Sequence, residues 1–343
     1  MSVDVAVITA LPLELDALVR HGGPWRKEVS SAGSIRTFYT CQTSTGVSIV
    51  GTCTRGVGQV SAALATREVL SLWHPKKVFL VGIAGGLGTE VELGDIVASE
   101  QVVDYELGKV MSGGFTPRWS VYRGDPRLLM KIADFRDTGW RSQISIPRPD
   151  GAAARLPRVV PGVVLSGNKV IADENTAGTL CSVWRRAAAI EMEAAGVAAA
   201  IYENPNGPAF LMLKAICDQA DGKKDDTWQP YAADVAGAFC VAFVQAALTA
   251  DDMKPSSPEE ERGLVVGAVD VRALRLALSS AFDLRELRVA ASDLGVDWDD
   301  IAGTTKSEKI VELISYLRRR KRVSELVNLV RRERPGLLDS YGS

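Results

Sequence analysis

Across residues 1–250 short apolar runs alternate with amphipathic helical segments, the pattern of strands exchanging with helices in an α/β sheet. The apolar runs predict strands at Val3–Thr9, Thr37–Thr43, Val47–Thr54, Val78–Ile83, Asp95–Asp104, Val163–Val170, Ala188–Met192 and Ala209–Ile216. Helices are predicted over Pro12–His21, Gly58–Trp73, Asn175–Val183, Glu193–Glu203 and Tyr231–Leu248. Val78-Phe-Leu-Val-Gly82 is apolar without a break and bounded by charge and glycine, as a central strand buried on both faces must be. From about Lys109 to Val159 the chain is richer in Arg, Pro and Gly and reads as an insertion or flap with weak secondary structure.

The pattern then changes. Ala250 to Gly263 is rich in Pro, Ser and Glu, the composition of an exposed linker. Beyond it every signal is helical. Asp270 is placed to cap Val271–Ala281, and Asp283 to cap Leu284–Leu294, which stops at Gly295. Thr305-Lys-Ser-Glu308 is a capping box, followed by Ile310, Leu313, Ile314 and Leu317 at helical spacing. Ser324 opens a last helix that stops before Pro335-Gly336. The chain thus divides into an α/β domain (1–250), a linker (251–266) and a small all-α helical bundle (267–338), with Trp298 in the bundle core.

Composition narrows the function. At 343 residues, 46% hydrophobic and 24% charged, the chain has the makeup of an ordinary globular protein. A net charge of −2 leaves no electrostatic footprint for nucleic acid or an anionic membrane. No apolar run is expected to reach the ~18–20 residues that span a bilayer, and MSVDVAVITALPLEL lacks the basic segment of a signal peptide. The five cysteines (41, 53, 181, 217, 240) are scattered and never spaced as CxxC, which points to reduced thiols in the cytoplasm and no metal site. His21 and His74 both read as loop histidines, so acid–base chemistry falls to carboxylates, and a His-dependent triad or an HExxH metalloprotease is excluded.

In open α/β sheets, ligands bind beyond the carboxyl ends of the strands. The first strand ends in Ala10-Leu-Pro-Leu-Glu14, which sets Glu14 in the first turn of a helix, where an acid also suits the helix dipole. Thr54-Arg-Gly-Val-Gly-Gln-Val-Ser61 is a glycine turn feeding a helix. Gly82-Ile-Ala-Gly-Gly86 closes the central strand, where backbone amides can approach a ligand. Later strands lead to Ser166-Gly-Asn-Lys-Val-Ile-Ala-Asp173, to Glu191-Met-Glu193 and to Asp218. Carboxylates at several strand ends beside two glycine turns mark a candidate site, although Asp218 also reads as a helix cap. Gly56-Val-Gly58-Gln-Val-Ser61 falls short of a dinucleotide fingerprint, because its sixth position is Ser and Val78–Ile83 ends without an acid for a ribose. No GxxxxGK[ST] occurs, so a P-loop is absent.

ALPLE (10–14), GVGQV (56–60), GIAGG (82–86), LGDIV (93–97), SGNKVI (166–171), EMEAAG (191–196) and KAICDQAD (214–221) occur in this order. With them, residues 1–250 resemble the purine nucleoside phosphorylase/nucleosidase superfamily, most closely its 5′-methylthioadenosine/S-adenosylhomocysteine nucleosidase branch. The resemblance implies an α/β, nucleoside phosphorylase-like mixed central sheet flanked by helices. It implies Asp218 as the general acid at purine N7, Glu14 as the group that positions and deprotonates water, and Glu193 as the holder of the ribose hydroxyls. It further implies Met192 under the sugar, the backbone of Val170 and Ile171 clamping the base, and Ala84, Gly85, Glu191 and Cys217 on the substrate. Cleaving an N-ribosyl bond builds positive charge on the ribose and negative charge on the base. An acid at the base and a carboxylate with water at the sugar stabilise both ends. The acids of Glu191-Met-Glu193 are expected to point apart, leaving Glu191 as a structural partner.

Departures from the family shape the reading. Phe79-Leu-Val-Gly-Ile-Ala84 lacks the arginine with which the phosphorylases grip phosphate, which favours water as nucleophile. Ile83 and Cys217 stand where the nucleosidases usually have Ser, and Val170 replaces a Phe that stacks on the base, so the base pocket is looser or differently shaped. Arg55, Lys109, Arg118, Lys169, Lys223 and Lys224 lie near the motifs; a methylthio group needs none of them, whereas a 5′-phosphate or triphosphate needs several. Solvated surface charge is the other reading of these cations. Asp104–Lys109 and Ala220–Lys224 also look like the nucleosidase-type effector domains of bacterial conflict proteins, some of which attack ATP-like nucleotides. About residues 268–337 resemble effector-associated domains, death-fold-like adaptors that pair with like domains on partner proteins, with Arg318–Arg322 as a candidate pairing face.

The expectation is a cytoplasmic purine N-ribosyl hydrolase that uses no cofactor, is at least dimeric, and serves as an effector in a bacterial defence or signalling system. Its partners would be a purine nucleoside or nucleotide and a protein with a like adaptor, and neither nucleic acid nor membrane. Alternatives are a housekeeping methylthioadenosine/adenosylhomocysteine nucleosidase, a phosphorylase, and a catalytically silent nucleotide-binding adaptor.

Overall fold

A computed structural model describes residues 2–29, 34–111, 114–151, 155–204, 207–221, 226–249, 271–301, 303, 305–320, 322–334 and 337–338. The chain separates into two compact units, Met1–Met253 and Lys254–Ser343.

In the first unit the strands are β1 Val5–Thr9, β2 Arg26–Val29, β3 Thr37–Gln42, β4 Ser48–Cys53, β5 Lys77–Gly86, β6 Ile96–Asp104, β7 Gly108–Met111, β8 Gly114–Pro117, β9 Ser120–Arg123, β10 Val159–Ser166, β11 Ala187–Glu191 and β12 Ala209–Asp218. The helices are α1 Pro12–Arg20, α2 Gln59–Trp73, α3 Pro126–Asp134, α4 Glu174–Val183, α5 Ala194–Tyr202 and α6 Gln229–Ala247. The main sheet runs β11-β10-β6-β12-β5-β1-β4-β3-β2, with β9 on β6 and β7–β8 as a separate hairpin. The apolar run at Val78 is β5, flanked by β1 and β12 in parallel. The sheet is mixed: β6 and β12 run antiparallel. Its far strand curls back so that Ala189 and Ile190 of β11 pair with Gly86 and Gly85 of β5. That closure brings the carboxyl ends of β5, β11 and β12 to one place.

One core lies between the sheet and α1 and α6, another between the sheet and α2 and α5. α6 corrects an expectation. At 19 residues and mean hydropathy 1.3 it is long and apolar enough to cross a bilayer by length and composition. Its apolarity here is that of a helix buried around most of its circumference: Phe243 packs edge-on against Phe79 of β5, and Phe239 and Phe243 both meet Phe135.

Other boundaries also moved. β10 begins and ends about four residues before the expected strand, because pairing with β6 already starts at Val159↔Ile96 and crosses Pro161 and Gly162 through a bulge. After Ser166 the chain turns at Gly167, where a Cβ would fall 2.5 Å from the Tyr105 ring. β2 was not foreseen, and the 109–159 stretch is more ordered than expected. It contributes most of the β7–β8 hairpin, β9 and α3, whose N-cap Asp125 accepts from the amides of Arg127 and Leu128.

His21 lies in the loop after α1, as expected, but it is buried. It is the buried C-cap of α1, with Nε2 2.9 Å from Oδ1 of Asp234 in α6. Asp234 also accepts from Arg20, from the Ser145 amide (2.6 Å) and hydroxyl (3.0 Å), and from the Ile146 amide (2.9 Å). Burial alone would raise this carboxyl, but the donors, His21 first among them, hold it well below the usual carboxylate range. A depressed folded pKa contributes stability above the unfolded value, about 3.9, and loses it as pH falls further. Asp234→Ala is expected to cost about 3 kcal/mol at pH 7, since it strands several buried donors. Urea unfolding at pH 7 and pH 3 checks this, with the gap to wild type shrinking at the lower pH.

The second unit consists of α7 Val271–Ala281, α8 Leu284–Asp293, α9 Lys306–Arg319 and α10 Val323–Glu333 around Leu274, Leu287, Leu313, Leu317 and Leu326. Two of the three expected caps form: Asp283 and Glu286 exchange side-chain bonds with each other's amides, as do Thr305 and Glu308. Gly295 takes φ +63° and ends α8. Trp298 packs against this core, with the Lys309 ammonium over its ring. Asp270, the expected cap of α7, lies outside the described residues. Within Arg318–Arg322, Arg320 stacks on Tyr316, and Arg322 pairs with Glu325 and donates to the Leu294 carbonyl.

Candidate active site

Glu14 sits in the first turn of α1 and folds back on its own N-terminus. One carboxylate oxygen accepts from the amides of Ala10 (2.7 Å) and Leu11 (2.8 Å), and the other from Ile83 at the end of β5 (2.8 Å). Burial pushes the Glu14 carboxyl above the ordinary glutamate value; the Lys214 charge and the three amides offset this only in part. A Cβ on Gly82 would lie 2.0 Å from Glu14 Oε1, and one on Gly85 would lie 2.9 Å from Asp218 Oδ1. These two glycines of GIAGG, both within β5, therefore clear space for carboxylates, and Gly85 also lines the cavity where backbone approach to a ligand is expected.

Asp218 is the last residue of β12 and is buried, with Oδ1 accepting from the Ala220 amide (2.9 Å) and Cys217 Sγ 3.4 Å from Oδ2. The helix-cap reading fails, because the next helix starts only at Gln229.

Glu193 occupies the N-cap position of α5. Its Oε1 accepts from the Gly58 amide (2.9 Å), where α2 begins, and its Oε2 from Lys214 Nζ (2.8 Å). Lys214 also binds Glu191 Oε2 at 2.9 Å. The expectation that Glu191 and Glu193 point apart is therefore wrong: residues two apart on a strand share a face, and here both converge on one ammonium. Glu191 in turn accepts from the amides of Glu193 and Ala194, each at 3.0 Å, which starts α5. Burial works against charge at Glu193, yet the Lys214 ammonium and the Gly58 amide hold its carboxyl below the usual glutamate value. Lys214 is buried too, and the surrounding Glu191, Glu193 and Glu14 raise its pKa well above the ordinary lysine value.

These groups line a cavity of about 190 Å³ that is open to solvent on one side. Its polar wall includes Glu14, Glu191, Glu193, Lys214 and Asp218; its apolar wall includes Val57, Ile83, Ile171, Ile190 and Met192. Ala84, Gly85, Cys217 and the largely exposed Val170 complete the placement of the expected substrate residues on this one surface. Of the expected phosphate ligands, Lys169 lines the cavity, and its ammonium pairs with Glu106 at 2.9 Å. Arg55 and Lys109 are exposed and not among the lining residues, and Lys223 and Lys224 lie outside the described residues. Lys214 and Gln229 also line the cavity, and neither was expected there. The available signal for Lys214 was a lysine inside the apolar run FLMLKAIC, which a buried strand tolerates only opposite anions.

A curled mixed sheet with carboxylates at its strand ends defines an α/β protein of nucleoside phosphorylase-like fold. Residues 4–249 match the family model for the Phosphorylase superfamily, and the chain belongs to that family. Residues 272–335 match the model for Effector-associated domain 7. Among curated relatives, the ATP nucleosidase Cap17 of Escherichia coli (strain KTE188) is 29% identical over 260 residues, 70% of this chain and 51% of Cap17. The chain thus spans about half the length of that relative. The 5′-methylthioadenosine/S-adenosylhomocysteine nucleosidase of Chromohalobacter salexigens is 27% identical over 231 residues, 66% of this chain and 89% of the relative. The solved nucleosidase of Neisseria meningitidis in complex with methylthio-immucillin-A superposes with a TM-score of 0.57 at 21% identity, covering 71% of this chain and 99% of that one. Futalosine hydrolase of Helicobacter pylori gives 0.57 at 19% identity, with 71% and 98% covered. The family and the fold class expected from the motifs are the ones found.

Proposed function

We propose that this chain hydrolyses the N-ribosyl bond of purine nucleotides, ATP among them, as a cytoplasmic effector that its helical unit couples to a partner protein. The observation that carries the reading is the gathering of Glu14, Glu193 and Asp218 around one cavity in a relative of an ATP nucleosidase. In this reading Asp218 gives its proton to the purine as the bond to C1′ breaks. Glu14 takes a proton from water as its oxygen bonds to C1′, and Glu193 holds the ribose hydroxyls while its carboxylate faces the developing positive charge. Adenine and ribose 5-triphosphate leave. Water suits this cavity better than phosphate as nucleophile. Lys214 is committed to two carboxylates, and the acids around it repel an oxyanion. Lys169 is the cation on the cavity wall that a 5′-phosphate would meet. An assembly of at least two copies accords with the exposed apolar Val57, Val60 and Leu64, 56%, 73% and 62% exposed at the start of α2.

Incubating the purified full chain with ATP, AMP, adenosine and methylthioadenosine, and assaying free adenine, tests the proposal. Adenine and ribose 5-triphosphate from ATP are expected without added phosphate. Release from methylthioadenosine alone favours the housekeeping reading, dependence on phosphate favours a phosphorylase, and no release from any favours a silent binding module.

A further inference from the structure

Lys214 is a buried lysine at the centre of the cavity wall, and none of the roles above employs it directly. It faces Glu14 from α1, Glu191 from β11 and Glu193 from the start of α5, and Asp218 lies four residues on along its own strand. The strands flanking it, β5 and β6, set Gly82 and Val97 beside it in register and add no titratable group there. Its Nζ is within hydrogen-bond distance of two separate carboxylates, 2.9 Å from Glu191 and 2.8 Å from Glu193. Buried carboxylates this crowded do not all stay ionised unless a cation sits among them, since each desolvated anion raises the pKa of the next.

We infer that Lys214 is a positioning residue that keeps Glu14 and Glu193 charged together beside the sugar and so sets the lower pH limit of the reaction. This rests on the reading of Glu14 as the group that takes the proton from water. The ammonium anchors Glu193 for the ribose, and its field holds down the proton affinity of Glu14 without a bond to it. A lysine that only filled space would leave the pH dependence of the reaction unchanged when replaced by methionine.

The sign of the stability effect follows from the shifts. Lys214 has a raised folded pKa, so its contribution is fully present below the unfolded lysine value, about 10.4, and is lost only as pH climbs through the folded one. Glu193 has a depressed folded pKa, so its contribution is present above about 4.3 and is lost below that. The Lys214–Glu193 pair therefore stabilises the fold throughout the neutral range. Without the ammonium, Glu14 and Glu193 are buried without their cation, their folded pKa values rise, and stability falls as pH increases from about 5 to 8.

The test uses the full chain with Lys214→Met and Lys214→Arg. The acid limb of kcat/KM, measured on the substrate wild type cleaves best, is expected to move up by about one pH unit or more in the methionine variant. In the arginine variant it should return toward wild type. Thermal unfolding between pH 5 and 8 gives a second readout that needs no catalysis: Tm should fall with rising pH in Lys214→Met relative to wild type. If that variant folds only near pH 5, or recovers at pH 7 when Glu191→Gln is added, the inference stands. An unmoved acid limb in an active Lys214→Met, or a Tm whose pH dependence matches wild type, overturns it. Absence of base release by wild type would sink the hydrolase reading and leave the unfolding arm to decide on Lys214.

Discussion

Asp218→Asn is expected to lower kcat for adenine release by roughly 10²–10⁴-fold, the range that a positioned acid contributes. The substitution is nearly isosteric, and the side-chain oxygen of asparagine still accepts from the Ala220 amide that Asp218 now holds at 2.9 Å. The end of β12 should keep its shape, with a stability change below about 2 kcal/mol by urea unfolding. What the amide lacks is an acidic proton to give to the leaving purine. KM should therefore change little while kcat collapses, the signature of an interaction made in the transition state. Full activity in this variant would show that the base leaves without Asp218 and that another group protonates it.

Glu14→Gln is expected to produce a loss of similar size, roughly 10²–10⁴-fold in kcat, with a diagnostic pH dependence. Because burial raises the Glu14 carboxyl, wild-type kcat/KM should fall on the acid side at a pH above the ordinary glutamate value of about 4.3. Residual activity of the variant should lack that limb. There is a structural cost as well. Both oxygens of Glu14 are occupied by amides of Ala10, Leu11 and Ile83, and the –NH2 of glutamine would meet one of these sets as a donor facing a donor. The expected destabilisation is about 1–3 kcal/mol. Its pH dependence has a definite sign. A raised folded pKa contributes stability below about 4.3 that is lost as pH rises through the folded value, so the gap between wild type and variant should narrow from pH 4 to pH 8. Urea unfolding across that range checks it, and a gap that widened would contradict the assignment of a raised pKa to Glu14.

Much of this molecule is local in its physics and therefore legible along the chain. The helical unit follows from the reciprocal bonds of Asp283 with Glu286 and of Thr305 with Glu308, and from the helical spacing of Ile310, Leu313, Ile314 and Leu317. β5 was visible because an uninterrupted apolar run tolerates burial on both faces. Glu14, Glu193 and Asp218 were visible because each stands where a strand ends and the motif order is distinctive. The flap was misjudged since its short elements gain stability from packing, as when Leu128 and Ile132 of α3 bury against the sheet. β10 was misplaced since its register is set by β6, a pairing that no window of the chain contains.

The residue pattern by itself determined the alternation of strands and helices, the second helical unit and the identity of the acids at the strand ends, because caps, periodicity and turn chemistry act over a few residues. Tertiary structure alone decided how those acids meet. The curl of β11 onto the end of β5 brings Glu191 and Glu193 to Lys214 from chain positions more than twenty residues away. It also turns the glycines at 82 and 85 into clearances for Glu14 and Asp218. Charges buried this closely take their ionisation from one another, so the chemistry of the cavity exists only once the sheet has closed.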